Sequence, residues 1–371
     1  MLHEAVDFGG KTLTPRSYRY SLISRIQLQT EEIQGSAIMS DSSKEDMFMS
    51  WLRGESAKRE LHPLLERSFV PVQGASTQPS NGPVLRIMQW NILAQALSIG
   101  DDNFVRCPEK ALDWENRKLH LVEEILRYRP HILCLEEVDN FSFFQESLIN
   151  FGYMGIFYPK PDSPCMEVEN NTGPDGCAVL YSTKHLILSE SNSIVLQDES
   201  GLDTNQVSVI CKFQLKGDNS KETVPEFCVA VTHLKAKKGF DKLRFQQGKH
   251  LLKFLDKYST IPLFICGDFN AEPAEAVYDL FQKSRFGLVS VYTHLSSEGK
   301  EPPYTTWKIR GEFGGNKENC KTIDYIWHSK KGINVKSVLA FPSGEVIGEN
   351  RLPSMTYPSD HLSLACDFEL V

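Results

Sequence analysis

The chain has 371 residues, enough for one large domain or two small ones with a sizeable buried core. Hydrophobic residues make up 41% and charged residues 24%, and no apolar run approaches the ~18 residues of a helical membrane span. A formal net charge of -8 argues against a broad nucleic-acid-binding surface, which would need clustered Lys and Arg, and leaves room for a local basic pocket.

The first eighty residues read differently from the rest. Arg16 to Arg25 is basic, hydroxylated and free of acids, as in a mitochondrial presequence, but Glu4 and Asp7 stand upstream where such leaders avoid acid. The nine scattered Cys, without a CxxC pair or a Cys/His cluster, fit a reducing interior. The expectation is a cytoplasmic protein, with mitochondrial targeting as the alternative. Ser40 to Asp46 reads as solvated and disordered, Lys58 to Leu65 as a short helix, and Gly74 to Pro83 as a flexible linker. Residues 1–82 are therefore expected to be largely disordered or linker, and 83–371 to form the domain.

From Val84 the alternation of VLRIMQW gives a first strand ending at Asn91. Asp113 is suited to cap a helix whose apolar face is Leu119, Val122, Ile125 and Leu126, stopped by Arg129-Pro130. HILCL (His131 to Leu135) is a short buried strand that delivers Glu136 and Glu137. A second helix is expected over Phe141 to Asn150, then a loop from Tyr158 to Asn171 carrying Lys160, and a strand from Cys177 to Tyr181. Gln206 to Gln214 and Phe227 to Thr232 read as strands, the second ending on His233, and Asp241 to Leu255 reads as an amphipathic helix.

Ile261 to Cys266 is a continuous apolar run, as in a strand buried on both faces. After Gly267, Asp268 and Asn270 would emerge on the same side if the chain stayed extended, and Pro273 suits the first turn of a helix over Ala274 to Phe281. The alternative is an ordinary turn, since Gly, Asp and Asn are also turn residues. Thr305 and Trp307 begin another strand, Gly311 to Lys321 is a mobile hairpin or loop, and Thr322 to Trp327 puts Asp324 inside a strand. Ser359-Asp360-His361 opens the last strand. Many strands, few helices and no regular βαβ alternation predict two packed mixed sheets with helices outside.

Asn91, Glu137, His233, Asp268, Asn270, Asp324, Asp360 and His361 all fall at or near predicted strand ends. Carboxylates, imidazoles and amides, with no Ser-His or Cys-His pairing signal, suit phosphate-ester hydrolysis assisted by a hard divalent cation. Mg²⁺, with Mn²⁺ as a substitute, would suit Glu137, and a water held by Asp268 could attack in line. Singly, most have plainer readings: a core histidine for His233, a turn cap for Asp360, a supporting or solvated acid for Glu136. Asp324 within a strand needs a partner, and His361 is the natural one.

Trp90-Asn91, LCLEEV (Leu133 to Val138), Thr232-His233, GDFN (Gly267 to Asn270), IDYI (Ile323 to Ile326) and Ser359-Asp360-His361 together make the chain resemble the exonuclease–endonuclease–phosphatase superfamily, in its deadenylase-like branch. The resemblance implies a four-layered α/β sandwich, Mg²⁺ dependence and phosphoester hydrolysis. By it, Glu137 would bind the metal with help from Asn91, Asp268 would activate water, Asn270 would orient the phosphate, and His361 held by Asp324 would contact it. His233 and Asp360 would complete the site.

A narrower likeness within that branch rests on MQWNILAQALSIGDDNFVRCP, PKPDSPC, NTGPDGCA, VTHLKAK, PPYTTWKIR and NRLPSMTYPSDHLSL. It implies removal of the 2′-phosphate from NADP⁺ and NADPH, with a metabolic or circadian role, by a monomer. Lys160, Asn205, Lys235, Lys237, Asn270 and Arg310 would hold the substrate. A poly(A)-specific 3′-exoribonuclease is the alternative, and a non-enzymatic binding protein acting through residues 1–82 a third. Four cations, Lys160, Lys235, Lys237 and Arg310, around one crevice fit a small dinucleotide better than an RNA track, which would add aromatic platforms. Lys308 reads as solvated surface charge. Lys237 stands where the branch has Arg, Glu136 where it has Gln, and the loop Gly311 to Lys321 reads as longer than the resemblance leads one to expect.

Overall fold

The computed structural model describes residues 41–72, 83–99, 104–216, 225–312 and 315–371. Two mixed sheets face one another. The first runs β1 (Phe69–Pro71), β14 (Ile333–Leu339), β15 (Leu364–Leu370), β2 (Leu85–Asn91), β3 (Ile132–Glu136), β5 (Gly176–Ser182), β4 (Tyr153–Pro159). The second runs β10 (Leu288–Ser290), β13 (Asp324–Ser329), β9 (Leu263–Asp268), β8 (Glu226–His233), β7 (Asp203–Leu215), β6 (Leu186–Gln197). A separate ribbon pairs β11 (Thr306–Glu312) with β12 (Gly315–Lys321).

Each sheet has a single parallel pair, β2 with β3 and β8 with β9, and every other pairing is antiparallel. These strands are apolar because both their faces are covered; every residue of β3 and of β9 is buried. Between the sheets pack Ile87, Cys134, Val179, Val209, Val229, Val231, Phe264 and Cys266. The outer face of the second sheet is covered by α4 (Asp241–Leu255) and α5 (Ala276–Gln282), through Leu251, Leu255, Val277 and Phe281. α2 (Trp114–Tyr128) and α3 (Phe141–Ile149) lie on the first: Phe141 stacks on Phe157 of β4, and Tyr128 O accepts from Arg86 of β2. The result is the expected four-layered α/β sandwich. Asp113 caps α2 as its sequence predicts, its side chain accepting from Glu115 N, and Arg129 ends the helix in a left-handed conformation.

The N-terminal expectation needs correction. Ser40 itself, Arg16–Arg25 and nearly all of the linker 74–83 lie outside the described residues, but the stretch from Asp41 opens α1 (Asp41–Lys58) rather than a disordered segment. That helix ends where a new one is predicted, because Glu60 turns left-handed (φ 55°) and Leu61 N reaches back to Ser56 O at 2.9 Å. The compact unit starts at Met49, not 83. Its early residues earn their place by pairing: β1 extends the first sheet against β14, and Leu65 N donates to Thr356 O at 2.9 Å. The stretch 311–321 is the β11–β12 ribbon, and α5 starts after Glu275 rather than at Pro273.

Candidate active site

Parallel pairing sends the carboxyl ends of β2 and β3, and those of β8 and β9, to one crevice. Within the second sheet His233 stands in register with Asp268, and Asp268 with Asp324, so three functional side chains start from adjacent strand positions. Gly267 makes this approach feasible. A Cβ there would lie 1.9 Å from Thr232 O, so no other residue lets β9 come this close to β8.

Asn91, at the end of β2, bridges the sheets: its Nδ2 donates to Glu137 Oε1 at 2.9 Å and to Asp268 Oδ2 at 3.1 Å. Glu137 leaves β3 with φ 56° and is half-buried, its Oε2 accepting from Ala94 N at 3.2 Å. His361 Nδ1 donates to the Asp324 carboxylate at 2.9 and 3.0 Å, and its Nε2 lies 3.8 Å from both Asp268 Oδ2 and Asp360 Oδ2. His233 Nε2 is 3.7 Å from Asp268 Oδ2 and accepts from Asn270 Nδ2 at 2.9 Å. All eight expected residues thus meet in one cluster, and all but Glu137 and Asn270 are buried.

Asn270 arrives by a different route from the one its spacing suggests. Its φ is 49°, so the chain is not extended there; its N–H folds back onto Asp268 Oδ1 at 2.8 Å in a turn, and its Nδ2 also donates to Leu234 O at 3.1 Å. Turn and site, offered as alternatives by the sequence, are the same feature.

Burial, and then the Asp324 carboxylate, raise Asp268 to about 7. Burial, the largest single effect, would lower His361, but Asp324 behind it, together with Asp360 and Asp268, outweighs this and raises it to about 9. His233 goes the other way: burial, then Lys160 and His361, hold it well below the usual histidine range, consistent with a neutral ring accepting from Asn270. Burial would raise Asp360, yet Lys308, His361 and Arg310 together carry it below the usual carboxylate range.

The cations divide. Lys308 donates to Asp360 and sits 3.4 Å from His361 Nε2, so it belongs to the site and is not solvated surface charge. Arg310 lies 3.7 Å from Asp360 Oδ2, its guanidinium 3.7 Å from the Phe104 ring centroid. Lys160 is mostly buried and paired with Asp175 at 2.6 Å, and its charge reaches both Glu137 and His233. Asn205 stands apart: its Oδ1 accepts from Asp162 N at 2.8 Å and its Nδ2 donates to Asp162 O, so its carboxamide clamps the loop carrying Lys160. Lys235 and Lys237 do not share one side of an extended chain, because Lys237 is left-handed (φ 79°); Lys235 Nζ stands 5.1 Å from the Phe240 ring.

Sequence reading misses several supports. Thr305 Oγ1 donates to Asp324 Oδ2 at 2.6 Å, and the buried Arg117 ties Ile92 O and Leu93 O to Pro358 O. Gln89 donates to Glu136 Oε2 at 2.7 Å; Glu136 is fully buried, and burial raises its pKa well above the carboxylate range. Only Gln89 carried a local signal, as the polar member of an alternating strand.

A hard divalent cation fits this donor set. Glu137 is held by one donor on each oxygen and still faces the crevice, Asn91 adds a carboxamide, and no thiol joins them. Ligand atoms of Asp268, Asp324 and His361 also lie within 4.8 Å of one another. There, however, each Asp324 oxygen already accepts two hydrogen bonds, one from His361 Nδ1 and one from Gln89 or Thr305, whereas each Glu137 oxygen accepts one, which favours Glu137 with Asn91 as the holding pair.

Residues 88–361 match the model of the endonuclease/exonuclease/phosphatase family. The chain belongs to this family. Human nocturnin is 50% identical over 323 residues, a span covering 85% of this chain and 72% of that protein. The structure of the human nocturnin catalytic domain with a bound sulfate anion superposes with a TM-score of 0.68 at 43% identity, covering 84% of this chain and all of that one. ANGEL2, a 2′,3′-cyclic phosphatase solved with adenosine-2′,3′-vanadate, shares the fold at TM-score 0.67 and 21% identity, covering 83% of this chain and 99% of that one. Endonuclease/exonuclease/phosphatase enzymes are divalent-metal-dependent hydrolases of phosphate esters, and this chain is one of them. No helix among the described residues is long and apolar enough to cross a membrane.

Proposed function

We propose that the chain is a Mg²⁺-dependent phosphohydrolase that removes the 2′-phosphate of NADP⁺ and NADPH, giving NAD⁺ and NADH. The observation that carries this reading is the compact set of cations, Lys308 and Arg310 at Asp360 and Lys160 near His233 and Glu137, in a chain of net charge -8. Such a set suits one small phosphate group; a strand of RNA needs a continuous basic path with stacking platforms. The likeness to nocturnin supports it.

In this reading Asp268, raised to about 7, takes the proton of a water as that water attacks phosphorus. The P–O2′ bond breaks with its electron pair on the 2′-oxygen, which takes up a proton from solvent to leave as the hydroxyl of NAD⁺ or NADH. Asn270 would orient the phosphate by turning an Nδ2 hydrogen from Leu234 O to a phosphoryl oxygen. His361, kept protonated by Asp324, donates from Nε2 to a phosphoryl oxygen whose charge grows in the transition state. Asp360 holds Lys308 and Arg310 at the same oxygens, and neutral His233 fixes the Asn270 turn. Mg²⁺, held by Glu137 with Asn91, would supply charge neutralisation at the phosphate. Incubation of the purified protein with NADPH tests it: Mg²⁺-dependent release of inorganic phosphate supports the reading. Shortening of oligo(A) with no phosphate from NADPH replaces it with the exoribonuclease.

A further inference from the structure

The segment ahead of β2 lies outside the matched residues 88–361. It nevertheless sends one buried side chain to the loop that bears His361. Arg67 is locked at its own backbone by Tyr128, whose hydroxyl accepts from Arg67 N at 3.2 Å and donates to Arg67 O at 3.1 Å. Its side chain is 1% exposed. Nη2 donates to Glu124 Oε1 at 2.6 Å, to Tyr357 Oη at 3.3 Å and to Ser363 Oγ, while Nη1 donates to Ser363 O at 2.9 Å.

Tyr357 and Ser363 bracket Pro358 to Leu362, the stretch that contains Asp360 and His361. They are joined to each other as well, since Ser363 N donates to Tyr357 Oη at 2.9 Å and both hydroxyls donate to Glu124 Oε1. One planar guanidinium therefore closes a ring whose only irregular arc is the His361 turn. The far side of that arc is pinned by Trp90 Nε1 on His361 O at 2.7 Å and Ser359 Oγ on Asn91 O at 2.6 Å. A fork of fixed geometry suits such a task, whereas a flexible ammonium would not hold both ends at once.

We propose that Arg67 is a positioning residue for the hydrolysis: by fixing both ends of the 358–362 turn it keeps the His361 imidazole seated on Asp324 and aimed at the phosphate. The simpler role, an ion pair that only adds stability, is represented by Arg86 and Asp367, 2.7 Å apart, which join β2 to β15 without touching the turn. The proposal rests on the phosphohydrolase reading for its rate arm alone.

The test compares the full chain with its Arg67→Met and Arg86→Met variants, using NADPH with Mg²⁺ for rates and hydrogen–deuterium exchange for structure. Arg67→Met is expected to lower kcat about tenfold to a hundredfold, as a small misplacement of a reacting group does, with KM within about twofold. Exchange should rise in 358–362 and stay unchanged in Glu226–Asp268. Arg86→Met should lower the melting temperature while keeping kcat. If the wild-type chain releases no phosphate from NADPH, the substrate assignment fails while the exchange arm still decides Arg67. Unchanged exchange at 358–362 in Arg67→Met overturns the proposal, and so does a loss of kcat no larger than that of Arg86→Met.

Discussion

His361 Nδ1 lies 2.9 Å from Asp324 Oδ2, and both groups are almost fully buried. Asp324 starts β13 in register with Asp268, while His361 stands just ahead of β15 in the other sheet, so this bond joins the two halves of the sandwich at the reacting edge. It also bears on the imidazole's charge: against burial, Asp324 is the largest of three carboxylates, with Asp360 and Asp268, that together raise His361 to about 9.

Replacing Asp324 by Asn should therefore move a pH limb. A group that must be protonated to donate fails as pH rises through its pKa, so wild-type turnover is expected to fall on the alkaline side near pH 9. Asp324→Asn removes the largest raising partner, leaving burial opposed only by Asp360 and Asp268, so that limb should shift to lower pH. A pH–rate profile with an unmoved alkaline limb would show that His361 is not the acid.

Glu137→Gln keeps the shape of the crevice and removes the charge that would hold the cation. Its turnover should drop by about 10³-fold or more, to the level of chelator-treated wild-type protein, with no rescue by Mg²⁺. Calorimetric titration with Mg²⁺ gives a second readout: wild-type protein binds, the variant does not.

Lys308→Met leaves the Asp360 carboxylate buried with its nearest cationic partner gone and only Arg310 at 3.7 Å and the His361 imidazolium at 3.8 Å beside it. The expected stability loss is about 1–3 kcal/mol by thermal melting. Loss of a donor beside the phosphate is expected to lower kcat/KM by about a hundredfold. A variant with wild-type kcat/KM would return Lys308 to the solvated surface charge its sequence context suggests.

The central strands were legible because burial on both faces writes itself as an uninterrupted apolar run: LCL before Glu136 and LFIC before Gly267. Strand β6 was not, because it is a polar edge strand (LILSESNSIVLQ) whose alternation is broken by irregularities at Leu188/Glu190 and Val195/Gln197. The eight site residues were readable from their places at the ends of strands: Asn91, Glu137, His233, Asp268 and Asn270 after them, Asp324, Asp360 and His361 at or ahead of their starts. Their supports were not: Thr305, Arg117, Lys308 and Arg67 bind partners 19, 241, 52 and 296 residues away, and nothing local marks such a contact. Extended-chain reasoning failed at Asn270, where left-handed backbone turns the side chain elsewhere.

Gly267→Ala places a methyl group 1.9 Å from Thr232 O, a contact that only separation of β8 and β9 can relieve. The change should destabilise the fold by roughly 3 kcal/mol or more. A denaturant midpoint equal to that of the wild type would refute the close strand approach on which the His233–Asp268 geometry depends.

The most direct measurement is the product balance for NADPH incubated with the purified chain and Mg²⁺, followed as inorganic phosphate and NADH. One phosphate per NADH, abolished by chelation and by Asp268→Asn, is the expected result. Intact NADPH under conditions in which the same preparation shortens oligo(A) would contradict it.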